Sequence, residues 1–166
     1  MKHSARSVAL LGLCSAIAMV LAWLESLLPP LAVAVPGIKL GLPNIAIVFI
    51  LYRFGWKEAA GVSFVRIVAV SLLFGNIPTL LYSLAGGFLS LLGMAFLKKT
   101  NLFSTVGVSI AGGVLHNVGQ ILMAMLLMST VGLGYYLVIL CITGIISGVF
   151  VGLCGGFAIK RIRIRL

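Results

Sequence analysis

The sequence predicts an all-α, polytopic membrane protein: a bundle of six transmembrane helices forming a single integral membrane domain over residues 1–166. Three observations predict it. Hydrophobic residues make up 62% of the chain and charged residues 8%, and mean hydropathy is +1.28, which is more apolar surface than a soluble domain of this length can hide. Six apolar runs recur along the chain, separated by short polar or Pro/Gly-containing turns. The basic residues, Arg66 apart, lie between those runs rather than inside them. In a soluble chain a net charge of +10 would suggest nucleic acid; here it sets topology, and no nucleic-acid partner is expected.

The first run, about 7–28, follows Lys2, His3 and Arg6. It exceeds the 7–15 residues, roughly, of a signal-peptide core, so it reads as a membrane span despite the Ala32-x-Ala34 pattern that imitates a cleavage site. Small residues at Gly12, Ala16, Ala18 and Ala22 sit in i, i+4 pairs that let another helix approach closely, either within the molecule or from a partner. Pro29, Pro30 and Pro36 then break any helix, making 29–39 an ordered loop that ends at Lys39. The second run, 40–53, is short for a full span and carries Pro43 and Asn44 near its start, which leaves that end tilted or only partly helical.

Arg53, Trp56, Lys57 and Glu58 form a polar turn. The third run, 59–75, has Arg66 near its centre and ends at Gly75, Asn76 and Pro78. The fourth, 79–97, presents Tyr82, Ser83, Gly86, Gly87 and Ser90 as a small face suited to packing. The fifth, 105–128, contains GGVLHNVGQ, in which Gly113, His116, Asn117 and Gln120 share one helical face. After a small turn over 129–134, the sixth runs over 135–159, with Tyr135 and Tyr136 suited to an interface, and closes on Lys160, Arg161, Arg163 and Arg165. Cys14, Cys141 and Cys154 are isolated in apolar runs, with no metal-ligand or redox spacing, and read as small core residues.

With both termini in the cytoplasm of a bacterial cell, ten of the 12 Lys/Arg lie on the inner side of the cytoplasmic membrane, leaving only Lys39 outside and Arg66 within it. This orientation gathers Glu25, Lys39, Asn44, Arg66, Asn76, His116, Asn117 and Gln120 in the outer half. Unpartnered polar groups cost several kcal/mol, roughly, in hydrocarbon, so the cluster is expected to surround an outward-facing pocket. Arg66 either lines that pocket or pairs with Glu25. Its charge together with Lys39 favours an anionic or polar-headed ligand.

PGIKLGLPNI at 36–45, LLFGN at 72–76, LYSLAGGFLSLLGM at 81–94 and GVSIAGGVLHNVGQ at 107–120 resemble the bacterial Gx transporter family, also filed as heptaprenyl diphosphate synthase component I. The resemblance implies a six-helix protein similar to the substrate-binding S-components of energy-coupling factor transporters. It further implies that Ala18-x-x-x-Ala22 resembles the face S-components offer to a transmembrane coupling partner, and that separate ATPase subunits supply energy, since no GxxxxGK[ST] occurs. Intrinsic prenyl transfer is not expected. Such enzymes hold magnesium diphosphate on aspartate-rich clusters, and this chain has no aspartate and only two acids, Glu25 and Glu58.

The first expectation is therefore a subunit, not an enzyme and without a resident cofactor, that takes up a vitamin, flavin or quinone/isoprenoid precursor, with the 29–39 loop as a lid. A second is a membrane subunit of flavin- or quinone-linked extracellular electron transfer, although the paired histidines of a bis-His haem are missing. A third is a scaffold with no pocket.

Overall fold

The computed structural model describes residues 5–27 and 41–162. Six α-helices follow in order: α1 (Ala5–Leu27), α2 (Pro43–Arg53), α3 (Trp56–Phe74), α4 (Ile77–Thr100), α5 (Thr105–Met128) and α6 (Leu137–Arg161), with a 3-10 turn over Val131–Tyr136. No strand occurs among the described residues. Four stretches, Ser7–Leu27, Ile77–Thr100, Thr105–Met128 and Val131–Arg161, are long and apolar enough to cross a membrane, and the protein is a membrane helical bundle.

The second element is shorter than expected. At 11 residues and 1.5 Å of rise each, α2 is about 16 Å long, well short of the roughly 30 Å hydrocarbon core. It begins only at Pro43, whose fixed φ and missing N–H suit the first helical turn. Its inward positions Ile47, Val48, Ile50 and Leu51 are almost wholly buried, and it closes the ring between α6 on one side and α1 and α3 on the other. The chain then reverses through Gly55, at φ 129°. Helix α3 starts at Trp56 rather than 59, so Lys57 and Glu58 belong to its first turn, where an acid complements the helix dipole.

Two seams of small residues set how closely the remaining helices approach. On α6, Gly144, Gly148 and Gly152 recur every four residues against Gly113, Ile110 and Val106 of α5. A Cβ at Gly148 would stand 2.5 Å from Ile110 Cα and 2.7 Å from the Ser109 carbonyl oxygen, so the backbones touch where only glycine fits. On the other face of α5, Gly119 meets the Ala85 carbonyl and Gly86 Cα, while Gly86 in turn meets the His116 carbonyl. Gly86, Gly87 and Ser90 are buried, which makes the small face of α4 a packing face. The α6 stripe was legible as Gly-x-x-x-Gly repeats but is not among the sequence expectations.

Candidate functional site

The helix ends decide where polar atoms collect. At one end of the bundle α1 and α3 terminate while α2 and α4 begin, and a cavity of about 130 Å³ opens there. Glu25, Asn44, Arg66, His116, Asn117 and Gln120 all line it, joined by Ser71, Thr79, Ser83 and Ser147. Six of the eight residues expected from the sequence thus meet around one space. Ser71, Thr79 and Ser147 were not expected. Each is a small hydroxyl residue in a mostly apolar helix, and Ser147 between the α6 glycines is the signal that was available.

The walls are held by specific bonds. The Gly41 N–H donates to Glu25 Oε1, and the Leu42 N–H approaches the same oxygen at 3.4 Å. The carboxylate therefore sits on the N-terminal turn of α2, where free N–H groups and the positive end of the helix dipole favour an anion. Arg66, on α3, is 9% exposed and within electrostatic reach of Glu25. Its Nε is buried with no hydrogen-bond partner among the described residues. Buried donors are nearly always paired, so an unpaired one beside a polar cavity is unusual.

The face on α5 is anchored to both neighbours. Asn117 Nδ2 donates to the Leu140 carbonyl at 2.6 Å, and Thr143 Oγ1 donates to the same oxygen at 3.0 Å, which ties α5 to α6 beside the cavity. Gly86 leaves room for the His116 ring, since a Cβ there would stand 3.2 Å from His116 Cε1 and 2.9 Å from Gln120 Cγ. Deeper in, Ser90, Ser109 and Ser147 line a void of about 10 Å³, so polar groups extend a short way below the cavity.

Other expected residues lie elsewhere. Asn76 is exposed and caps α4: its Oδ1 accepts from Thr79 N at 2.9 Å and Thr79 Oγ1 at 2.7 Å. It is not part of the cavity wall, because an Asn immediately before a Pro-containing first turn satisfies free helix N–H groups. Lys39 and the 29–39 loop with its expected lid role lie outside the described residues, as do Arg163 and Arg165. On α1, Ala18 and Ala22 are buried with Cys14 and Glu25 on the inward face, whereas Gly12 and Ala16 are on the exposed face. The Ala18/Ala22 pair packs inside the molecule and is not available as a partner surface in this arrangement.

The opposite end uses its charges differently. Arg53 Nη2 donates to the carbonyls of Ile159 and, at 2.8 Å, Ile162. Lys98 Nζ donates to the Leu51 carbonyl and lies 5.1 Å from the centre of the Tyr52 ring. These cations cap the C-terminal ends of α6 and α2. Glu58 is at this end too, on the first turn of α3, far from Glu25 along the bundle. No group of three or more His, Cys, Asp or Glu residues with metal-ligand geometry occurs among the described residues.

Residues 14–158 match the family described as heptaprenyl diphosphate synthase component I, a span that takes in every cavity-lining position. No curated protein and no solved structure matches the chain. With an all-helical membrane bundle, a polar cavity at one end and a family match over most of its length, the chain belongs to the heptaprenyl diphosphate synthase component I family.

Proposed function

We propose that the protein is a substrate-binding subunit of a membrane transport system, which takes a small molecule into the cavity from outside the cell and is energised by separate partners. The observation that carries this reading is the buried Arg66 guanidinium, with its partnerless Nε, in the wall of a cavity that also gathers Glu25, Asn44, His116, Asn117 and Gln120. A pocket with a few converging polar groups in an apolar frame is how small-molecule sites are built. The distribution of basic residues supports an outward opening, with Arg53, Lys57, Lys98, Lys99, Lys160 and Arg161 at the other end.

The family description supports membership of a multi-component system, in which this chain is one component among others. The chemistry supports a non-catalytic role. The two carboxylates stand at opposite ends of the bundle, and Glu25 is committed to the N-terminus of α2, so a magnesium diphosphate cluster has no oxygen ligands to form on.

The test is native mass spectrometry, with small-molecule extraction, of gently purified wild type and of Arg66→Gln and His116→Ala variants. The expected result is a stoichiometric molecule retained by wild type and lost or weakened at least tenfold, roughly, in Arg66→Gln, in line with the loss of a charge-assisted hydrogen bond. A wild type that stays empty after exposure to vitamin, flavin and quinone-precursor pools, while copurifying with other membrane subunits, would replace this reading with the scaffold.

A further inference from the structure

A second space, an apolar groove of about 330 Å³, runs between α3 and α4 and is lined by Ala60, Phe64 and Ile67 of α3 and by Leu84, Phe88 and Leu91 of α4. Ile67 lines both spaces. On α3, the groove positions 60, 64 and 67 and the cavity positions 67, 71 and 74 follow helical spacing, so they form one stripe along one face. On α4 the cavity residues Thr79 and Ser83 and the groove residues Leu84, Phe88 and Leu91 occupy adjoining faces, with Gly87 between them.

The two spaces that meet at Ile67 therefore differ in character, with Arg66 and the hydroxyls of Ser71, Thr79 and Ser83 on the cavity side and, Ser63 apart, hydrocarbon on the groove side. Gly87 makes room for the dividing side chain, as a Cβ there would stand 2.7 Å from Ile67 Cδ1. From Ile67 to Ala60 the groove follows α3 for about 10 Å. Its rims, Phe64 and Phe88, are 58% and 68% exposed, so it faces lipid.

We infer that the ligand of this site is an amphiphile drawn from the membrane, with an oxyanion head at Arg66 and an apolar chain laid past Ile67 in the α3–α4 groove. This inference rests on the binding-subunit reading above and narrows it to a class. A wholly polar solute would leave the groove unused, and a plain lipid chain would leave the buried Arg66 Nε unmet. A head joined to a chain fills both spaces across a single side chain.

The experiment is calorimetric binding to the detergent-purified protein, corrected against protein-free micelles. Probes are octyl phosphate and octanoate, with inorganic phosphate and 1-octanol as the head alone and the chain alone. The expected result is that at least one of the two amphiphiles binds at least about tenfold more tightly than either fragment. Arg66→Gln should abolish that binding. Leu84→Trp, which fills the groove, should reduce it to the level of the head alone without changing inorganic phosphate binding, and Ala60→Phe at the far end of the groove provides a second variant should the first fail to fold.

Octanol bound as tightly as octyl phosphate, in wild type and Arg66→Gln alike, would show an ordinary lipid-facing crevice and overturn the inference. So would a preference for the amphiphiles that survives both groove variants. Equal binding of octyl phosphate and inorganic phosphate, both lost in Arg66→Gln, overturns the two-part ligand while leaving the cavity as a binding site. Binding of no probe, together with an empty wild type in native mass spectrometry, overturns both readings.

Discussion

The two ends of α2 meet opposite charges, and the comparison separates a structural use of charge from the one proposed here to be functional. At its C-terminal end Lys98 donates to the Leu51 carbonyl, and nearby Arg53 donates to the carbonyls that end α6. At its N-terminal end Glu25 accepts from Gly41 and Leu42. Both ends obey the same electrostatics, cations on carbonyls and an anion on N–H groups. They differ in what remains once the helix ends are satisfied. Beside Lys98 the space is filled by the core around Leu51, Ala59 and Met94. Beside Glu25 there remain a cavity, a second buried charge and four further amide or imidazole side chains. Polar chemistry beyond what the helix termini require is the mark of the site.

The strongest way to break this comparison is to part the helices that run between the two ends. Gly148→Val has no room against Ile110 Cα and the Ser109 carbonyl and should abolish the monodisperse folded protein in size-exclusion chromatography, whichever end is then assayed. Glu25→Gln acts on the cavity end alone. It removes the anion from the start of α2 and leaves the Arg66 charge uncompensated, so thermal unfolding in detergent should report a loss of about 3 kcal/mol. Equal stability of the variant and wild type would show that Glu25 holds neither α2 nor Arg66.

Lys98→Met acts at the opposite end. Loss of a charge-assisted bond to a helix carbonyl should cost about 1–2 kcal/mol, with ligand retention by native mass spectrometry unchanged. A variant that kept its stability but lost its ligand would erase the distinction between the two ends. The smallest expected effect belongs to Asn76→Ala. Loss of the α4 cap should lower stability by about 1 kcal/mol without affecting retention, and Asn76→Asp should restore most of the difference. Loss of ligand in Asn76→Ala at full stability would return this residue to the site.

The cavity was legible in the sequence to the extent that depth decides it. Alternating helix directions and the positions of Glu25, Asn44, Arg66, His116, Asn117 and Gln120 along their helices are enough to bring them to one level, because a helix rises by a fixed amount per residue. Capping is harder to read. Asn76 is as polar as Asn117, and only its place one residue before the first turn of α4 separates a cap from a wall residue. Arg53 and Lys98 read as topological anchors, and their reach to the carbonyls of Ile159, Ile162 and Leu51 depends on which helix ends lie side by side, a tertiary fact that no local pattern carries. The facing of α1 also needed the fold: Ala16 and Ala18 belong to overlapping small-residue patterns, yet one is exposed and the other buried.

The short second helix carries a consequence for how such a site is tuned. Of α2 only Pro43 and Asn44 line the cavity, with Gly41 just before them, so where that helix begins, at a proline, sets how far the cavity extends along it. Beginning that helix one turn closer to Arg53 would withdraw this part of the lining by about 5 Å while leaving the residues contributed by α1, α3, α4, α5 and α6 in place. The reach of a bound molecule into the bilayer is in that sense written in the length of one helix, and proteins with the same wall and a longer or shorter α2 would select ligands of different size.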